Sequence, residues 1–363
     1  QCTEQKRAPH VRHASGLDEE LSQVRIEHLT LRVKLPTHRL KILPARVQGR
    51  QFGHPAVSGA QGRQAQGQGI EFVHSGGHGV PPDTLRTGQH HPAQDANDFD
   101  DLHIGADGTF DVILSPTRPT GYEGDWWELK PATEKLMVRI VACDWGVERE
   151  PRFGIARLDV DEAKGRPSID ALNHAFGEMP GITAVCALAF PTHVQELRDQ
   201  GFLNTLKVFD VSQMSGLQGQ SYYEGAYELA DDEALITEVK IPESYKYWSI
   251  ILTNELYETT DWYNNQSSLN DMQGLVDSDS IFRTVISARD PGVHNWLDTA
   301  GYESGAIQGR WFGANETPNP NIRKVKLVDV ASQLPAGTKR VSPQERAIAL
   351  RNRRIAAQKR AIW

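Results

Sequence analysis

Cysteine is scarce in these 363 residues: only Cys2, Cys143 and Cys186 occur, and none are spaced as CxxC. That excludes a disulfide framework and argues against a structural zinc site, so no metal and no cofactor are expected. Such a thiol inventory fits a reducing compartment, and the expectation is a cytoplasmic protein. Long apolar runs are missing too. The longest, residues 184–190, falls far short of the roughly 20 residues that span a bilayer, and no basic-then-apolar leader opens the sequence. No membrane partner is expected. A net charge of −8 disfavours a nucleic-acid partner. GxGxxG, GxxxxGK[ST] and GxSxG are absent, which removes the dinucleotide, P-loop and nucleophile-elbow readings.

Aromatic residues are missing from one part of the chain in particular. Residues 1–96 contain no Trp or Tyr and only Phe52 and Phe72, while holding nine of the thirteen histidines and eleven glutamines. Their 12 Lys+Arg against 8 Asp+Glu give +4, which leaves 27 against 39, or −12, for the remainder. Residues 48–68, rich in Gly, Gln, Ala and Arg, cannot bury enough apolar surface to offset the entropy of ordering their backbone. Residues 1–96 therefore read as a low-complexity, disordered segment, or as the product of reading a GC-rich coding region out of frame. One stretch within it differs: Leu29, Leu31, Val33 and Leu35 alternate as in a short strand. His74, His78, His90 and His91 resemble a metal cluster only in composition, since they sit in the segment least suited to folding.

From residue 97 onward the pattern is regular and predicts one domain to residue 363. Strands are expected at 109–115, 136–143, 153–160, 234–241, 247–252, 281–288, 307–312 and 324–330, from alternating apolar residues between turn signals. Residues 168–210 shift to a helical period, with Ile169, Leu172 and Phe176 and then Val194 and Leu197. Pro180, Pro191 and Gly201 predict two or three helices there. Residues 212–225 read as a loop. A last helix starts at a capping box of Ser342, Pro343 and Glu345, with Ile348, Ile355 and Ile362 as its buried stripe and Arg346, Arg351, Arg353, Arg354, Lys359 and Arg360 as a solvated face. Strands and helices do not alternate, so the fold class is mainly β, an antiparallel β-sandwich or jelly roll with a helical insertion and a C-terminal helix.

The densest polar stretch runs from Arg283 to Gly301. Arg283, Arg289, Asn295, Trp296, Asp298 and, beyond it, Arg310 are candidate ligand-binding residues, because arginine engages a carboxylate bidentately and aspartate accepts from hydroxyls. The expected partner is a small hydroxylated or carboxylated metabolite. The alternative is a hydrolase- or lyase-like enzyme in which Asp290 or Asp298 is acid or base beside an arginine. A purely structural reading also applies, with Arg–Asp pairs, an Asn-capped turn and Trp296 in the core. His294 lacks a partner at fixed spacing and is weak as a general base. Asp277 and Asp279 read as a hairpin turn rather than a calcium site. Tyr245, Tyr247, Trp248, Tyr257, Trp262 and Tyr263 read as core aromatics more than as a sugar-binding surface.

These residues resemble a family. Asp290-Pro291-Gly292-x-x-Asn295-Trp296-Leu297-Asp298-Thr299-Ala300-Gly301, with Tyr247-Trp248-Ser249, Ser268-Leu269-Asn270 and Gly309-Arg310-Trp311, is similar to the bacterial family known as domain of unknown function 1214. The resemblance extends upstream to Asp107-Gly108-Thr109-Phe110 and Cys143-Asp144-Trp145, so it covers about residue 98 to the end. It implies a β-sandwich, often paired with a second uncharacterised domain, and carries over no reaction, cofactor or catalytic residue. His294 stands where proline is commoner in the family, which lowers it further as a catalytic candidate.

Overall fold

A computed structural model describes residues 29–34, 69–73, 95–130, 135–148, 151–158, 166–210 and 219–360. Within them the chain is mostly strand, arranged as two β-sandwiches with separate cores.

In the first sandwich, β4 (Thr109–Ser115) pairs with β1 (Leu29–Lys34) and with β5 (Asp125–Glu128), and β1 also pairs with β7 (Arg152–Arg157). Opposite them, β2 (Gly69–Val73) lies between β3 (Asp95–Asp98) and β6 (Lys135–Arg139). Alternation in β4 sends Phe110, Val112 and Leu114 inward, where they meet Phe99, Leu102, Trp127 and Leu129. β1 and β2 are interior strands of their sheets. For these two segments the expectation that residues 1–96 add no scaffold is therefore corrected. The strand at Leu29–Lys34 follows the alternation read there; Gly69–Val73 carries no such signal beside its Gly- and Gln-rich neighbours. Residues 48–68 and the histidines at 74, 78, 90 and 91 lie outside the described residues.

The second sandwich is larger. One sheet runs β12 (Ser268–Asn270), β11 (Tyr247–Thr253), β15 (Ser304–Phe312), β9 (Gln220–Glu228), β8 (Lys207–Asp210). The other runs β14 (Trp296–Asp298), β13 (Ile281–Ser287), β10 (Glu233–Lys240), β16 (Asn321–Lys326). Neighbouring strands are antiparallel except β13 with β14 and, in the first sandwich, β4 with β5. Trp248, Trp311, Tyr223, Tyr227 and Phe282 fill the space between the two sheets. β10 is buried on both faces, since Leu235 faces this core while Ala234 and Ile236 face a second cluster with Val293, Trp296 and Val330. β9 corrects the loop expected at 212–225 from residue 220 onward. Its Gly and Ser content hid a strand whose Gly225 is required by packing: a Cβ there would lie 1.9 Å from the Thr205 carbonyl oxygen.

Gly309 follows the same logic, because a Cβ would fall 1.9 Å from Cζ of the Tyr223 ring on the neighbouring strand. Gly309→Ala is expected to destabilise the protein by about 1–3 kcal/mol through overpacking. Urea denaturation checks this, and an unchanged midpoint would refute the tight approach.

The helical insertion is one helix rather than several, α1 (Ile169–Asp199), with Pro180 and Pro191 inside it. Each proline removes one backbone donor, but this stretch is exposed and solvent can satisfy the freed carbonyls. Ser168 caps the start by accepting from the Ala171 N–H, and Gly201, at φ +86°, ends the helix with Phe202 N–H bonded to the Leu197 carbonyl. Only Val194 and Leu197 are buried, against Ala226 and Ala306 of the five-stranded sheet.

A short α2 (Val330–Gln333) precedes α3 (Pro343–Gln358), which carries the expected capping box. Its faces depart from expectation in part: Arg351 and Lys359 are exposed as expected, but the isoleucines are not buried. Ile348 is 60% exposed and Ile355 41%, while Arg346 is 6% exposed. Ile362 lies outside the described residues. The cause is that Arg346 finds hydrogen-bond partners inside, at Asp290, Gln266 and Val293.

Candidate functional site

Arg346 organises the loop that looked richest in chemistry. Its Nε donates to Asp290 at 2.9 Å, Nη1 donates to the Gln266 side chain at 2.8 Å, Nη2 donates to the Val293 carbonyl, and the guanidinium lies 5.1 Å from the Trp296 ring. Gln266 in turn donates to the carbonyls of His294 and Trp296. Asp290 also accepts from the Gly292 N–H at 2.8 Å. Asn295 accepts from Leu275 N–H and donates to the carbonyls of Leu275 and Arg283, while Trp296 donates to the Ser287 carbonyl. Asp298 accepts from Ala300 N–H; burial holds its carboxyl above the ordinary range, opposed by that hydrogen bond and reinforced by the charge of Asp290. The His294 ring sits 3.0 Å from the Gln273 carbonyl.

The arginines of the candidate set are elsewhere. Arg283, on the same face of β13 as Val285, is clamped by Glu238, Asp277 and Asp279 at 2.8, 2.7 and 2.7 Å. Asp277 and Asp279 belong to the hairpin turn before β13. Arg289 pairs with Asp231 at the exposed surface. The six candidate binding residues thus occupy several places and do not converge on one site. The six aromatics of residues 245–263 also divide: Trp248 is core, Tyr245 flanks it, Tyr247 and Tyr257 leave it, and Trp262 packs against Trp145 and Tyr263.

Arg310 differs from the others. Tyr222 and Ser249 are its register partners on the two neighbouring strands, and its guanidinium lies 4.8 Å from the centroid of the Tyr222 ring. Tyr222 is buried, stacks on Phe209 at 5.7 Å, and its hydroxyl donates to Gln220. Among the described residues Arg310 has no carboxylate and no hydrogen-bond acceptor. Because side chains alternate along a strand, Arg310, Tyr222, Glu224, Lys207, Phe209 and Tyr247 share the outer face of the five-stranded sheet, opposite the Trp248 and Trp311 core. Burial raises the Tyr247 hydroxyl, eased by its bond to Ser249 and by the Arg310 charge.

Two residues along β9 lies a buried carboxylate. Glu224, 3% exposed, accepts from His193 Nε2 at 3.0 Å and from the Tyr257 hydroxyl at 3.0 Å, and lies 3.5 Å from Lys207 Nζ. Burial alone would raise Glu224, but the His193 bond and charge, the Tyr257 bond and Lys207 outweigh it and hold the carboxyl low. The Glu224 bond raises His193 against the opposing effect of burial. Tyr257, at φ +62°, is pushed up by burial and by the Glu224 charge. His193 is delivered by the last turns of α1, held down by Val194 and Leu197. Nothing in the sequence pointed to this group: its members are far apart, and Glu224 lies where a loop was expected.

The family model described as "Protein of unknown function (DUF1214)" matches residues 228–316, which agrees with the resemblance read from the 290–301 block; the upstream part of that resemblance lies outside the match. Among curated proteins nothing matches the chain. The fold is similar to that of an uncharacterized protein from Burkholderia cenocepacia, with TM-score 0.66 and 23% identity, covering 84% of this chain and 74% of that one. The VPA0106 protein from Vibrio parahaemolyticus aligns with TM-score 0.42 and 13% identity, over 82% of this chain and 86% of that one, too distant to add to the fold assignment.

Proposed function

We propose that this protein binds a small carboxylate-bearing molecule on the outer face of its five-stranded sheet, with Arg310 as the anchor. One observation carries the reading: Arg310 is half-buried and stacked on Tyr222 with no carboxylate partner among the described residues, whereas Arg198, Arg283, Arg289, Arg323 and Arg346 each pair with one. A guanidinium fixed against a ring is a pre-organised bidentate donor, and taking up an oxyanion supplies the missing charge. Tyr222, Phe209 and Tyr247 add aromatic surface, and Gln220 and Ser249 add polar groups suited to hydroxyls. The enzyme alternative has less support, since Asp290 is engaged by Arg346 and Asp298 by the Ala300 N–H. The reading extends to a cytoplasmic protein with neither nucleic-acid nor membrane partner, supported by the net charge of −8 and the three scattered cysteines.

Calorimetric titration of the full chain with benzoate and succinate tests it. Arg310→Gln should weaken binding at least about tenfold, the equivalent of about 1.4 kcal/mol. Equal affinity in wild type and variant would refute Arg310 as the anchor.

A further inference from the structure

We infer that the ligand is a short dicarboxylate, one carboxylate on Arg310 and the other on a second subsite formed by His193 and Lys207. This rests on the anion-binding reading and adds to it the class of ligand. The Arg310 guanidinium lies over Tyr222, and Lys207 Nζ lies beside Glu224; both cationic heads therefore converge on β9 at residues two apart. Tyr222 and Glu224 lie on one face with their backbones about 6.6 Å apart, and a short, flexible dicarboxylate such as succinate or glutarate spans a separation of that order. His193 spends Nε2 on Glu224, and among the described residues its Nδ1 has no partner. Its side chain is 36% exposed and that of Lys207 27%, so both can be reached.

With His193 protonated, Arg310, Lys207 and His193 supply three positive charges against two on Glu224 and Glu196, which leaves a net positive face suited to an anion. The groups that face His193 are Glu224 from β9, Lys207 from β8, Tyr257 from the loop after β11 and Glu196 from its own helix. Tyr257 donates to Glu224, stacks on Phe190 and meets the His193 ring edge-on at 5.8 Å, and so fixes both carboxylate and imidazole from that side.

Calorimetric titration of the full chain with succinate, glutarate and butyrate, on wild type, Lys207→Met and Arg310→Gln, tests this. Wild type should bind the better dicarboxylate at least about tenfold more tightly than butyrate. Lys207→Met should reduce that advantage several-fold, and Arg310→Gln should weaken binding of both classes of acid. In wild type, raising the pH from about 6 to about 9 should also erode the advantage as His193 loses its charge. Equal affinity for mono- and dicarboxylates, or an advantage insensitive to both Lys207→Met and pH, would overturn the second subsite while leaving Arg310 as an anion site. No binding of any of the three acids would overturn both.

Discussion

Arg346→Met should lower the unfolding free energy by about 3–5 kcal/mol, the largest effect expected of any single change on the C-terminal helix. Methionine fills much of the volume but returns none of the hydrogen bonds, so Asp290 and the Gln266 side-chain oxygen lose their donor and the Val293 carbonyl is left buried. Asp290 keeps part of its solvation, at 29% side-chain exposure, and also keeps the Gly292 N–H, which places the loss inside that range rather than above it. Chemical denaturation measures the loss, and hydrogen exchange locates it: protection should fall in residues 290–298 and along α3. A midpoint within about 0.5 kcal/mol of wild type, as for an ordinary surface change, would mean that the helix is held by something other than Arg346.

Glu224→Gln should cost about 2–3 kcal/mol near pH 6, and the cost should depend on pH in a defined sense. Glu224 is held below its ordinary value of 4.5, so its contribution is present above that value and lost as pH falls through its lowered folded value. His193 is raised above its ordinary 6.5, so its contribution is complete below 6.5 and lost as pH rises through its raised folded value. The difference between wild type and variant should therefore be greatest between about 4.5 and 6.5 and shrink on either side. The glutamine oxygen can still accept from Tyr257, so the cost comes from losing the charge that His193 and Lys207 meet, and solvent screening of the partly exposed His193 limits its share. Stability curves measured across this range that run parallel for the two proteins would contradict the pairing.

What could be read in the sequence were features with a local cause. Alternation in residues 109–115 and 281–287 marked β4 and β13, and Ser342 with Glu345 marked the start of α3, because the backbone period and the cap are short-range properties. Arg310 was visible as a candidate only as an arginine able to engage a carboxylate. Features decided by distant partners were not visible. β9 was hidden because its glycine answers to Thr205 and its polar residues face helix α1 and β8 rather than water. The buried face of α3 was misassigned because helical period identifies two faces without saying which is inside. Arg346 is drawn in by residues up to 80 positions away, and Arg353 by the Trp262 carbonyl and the Trp145 ring, which leaves the isoleucines outside. The same holds for the loop at 283–301. Its density of charged residues serves closure onto α3 and the sheet, while Arg310, without a carboxylate partner among the described residues, sits on another strand.

A crystal structure of the full chain soaked with succinate tests most directly whether the outer face of the five-stranded sheet is a binding surface. The expected result is a ligand carboxylate in bidentate contact with Arg310 above Tyr222, with the rest of the molecule running along β9 toward Glu224. Succinate bound instead at Arg283 or Arg289, with the Arg310 face empty in a crystal that leaves it accessible, would contradict the account.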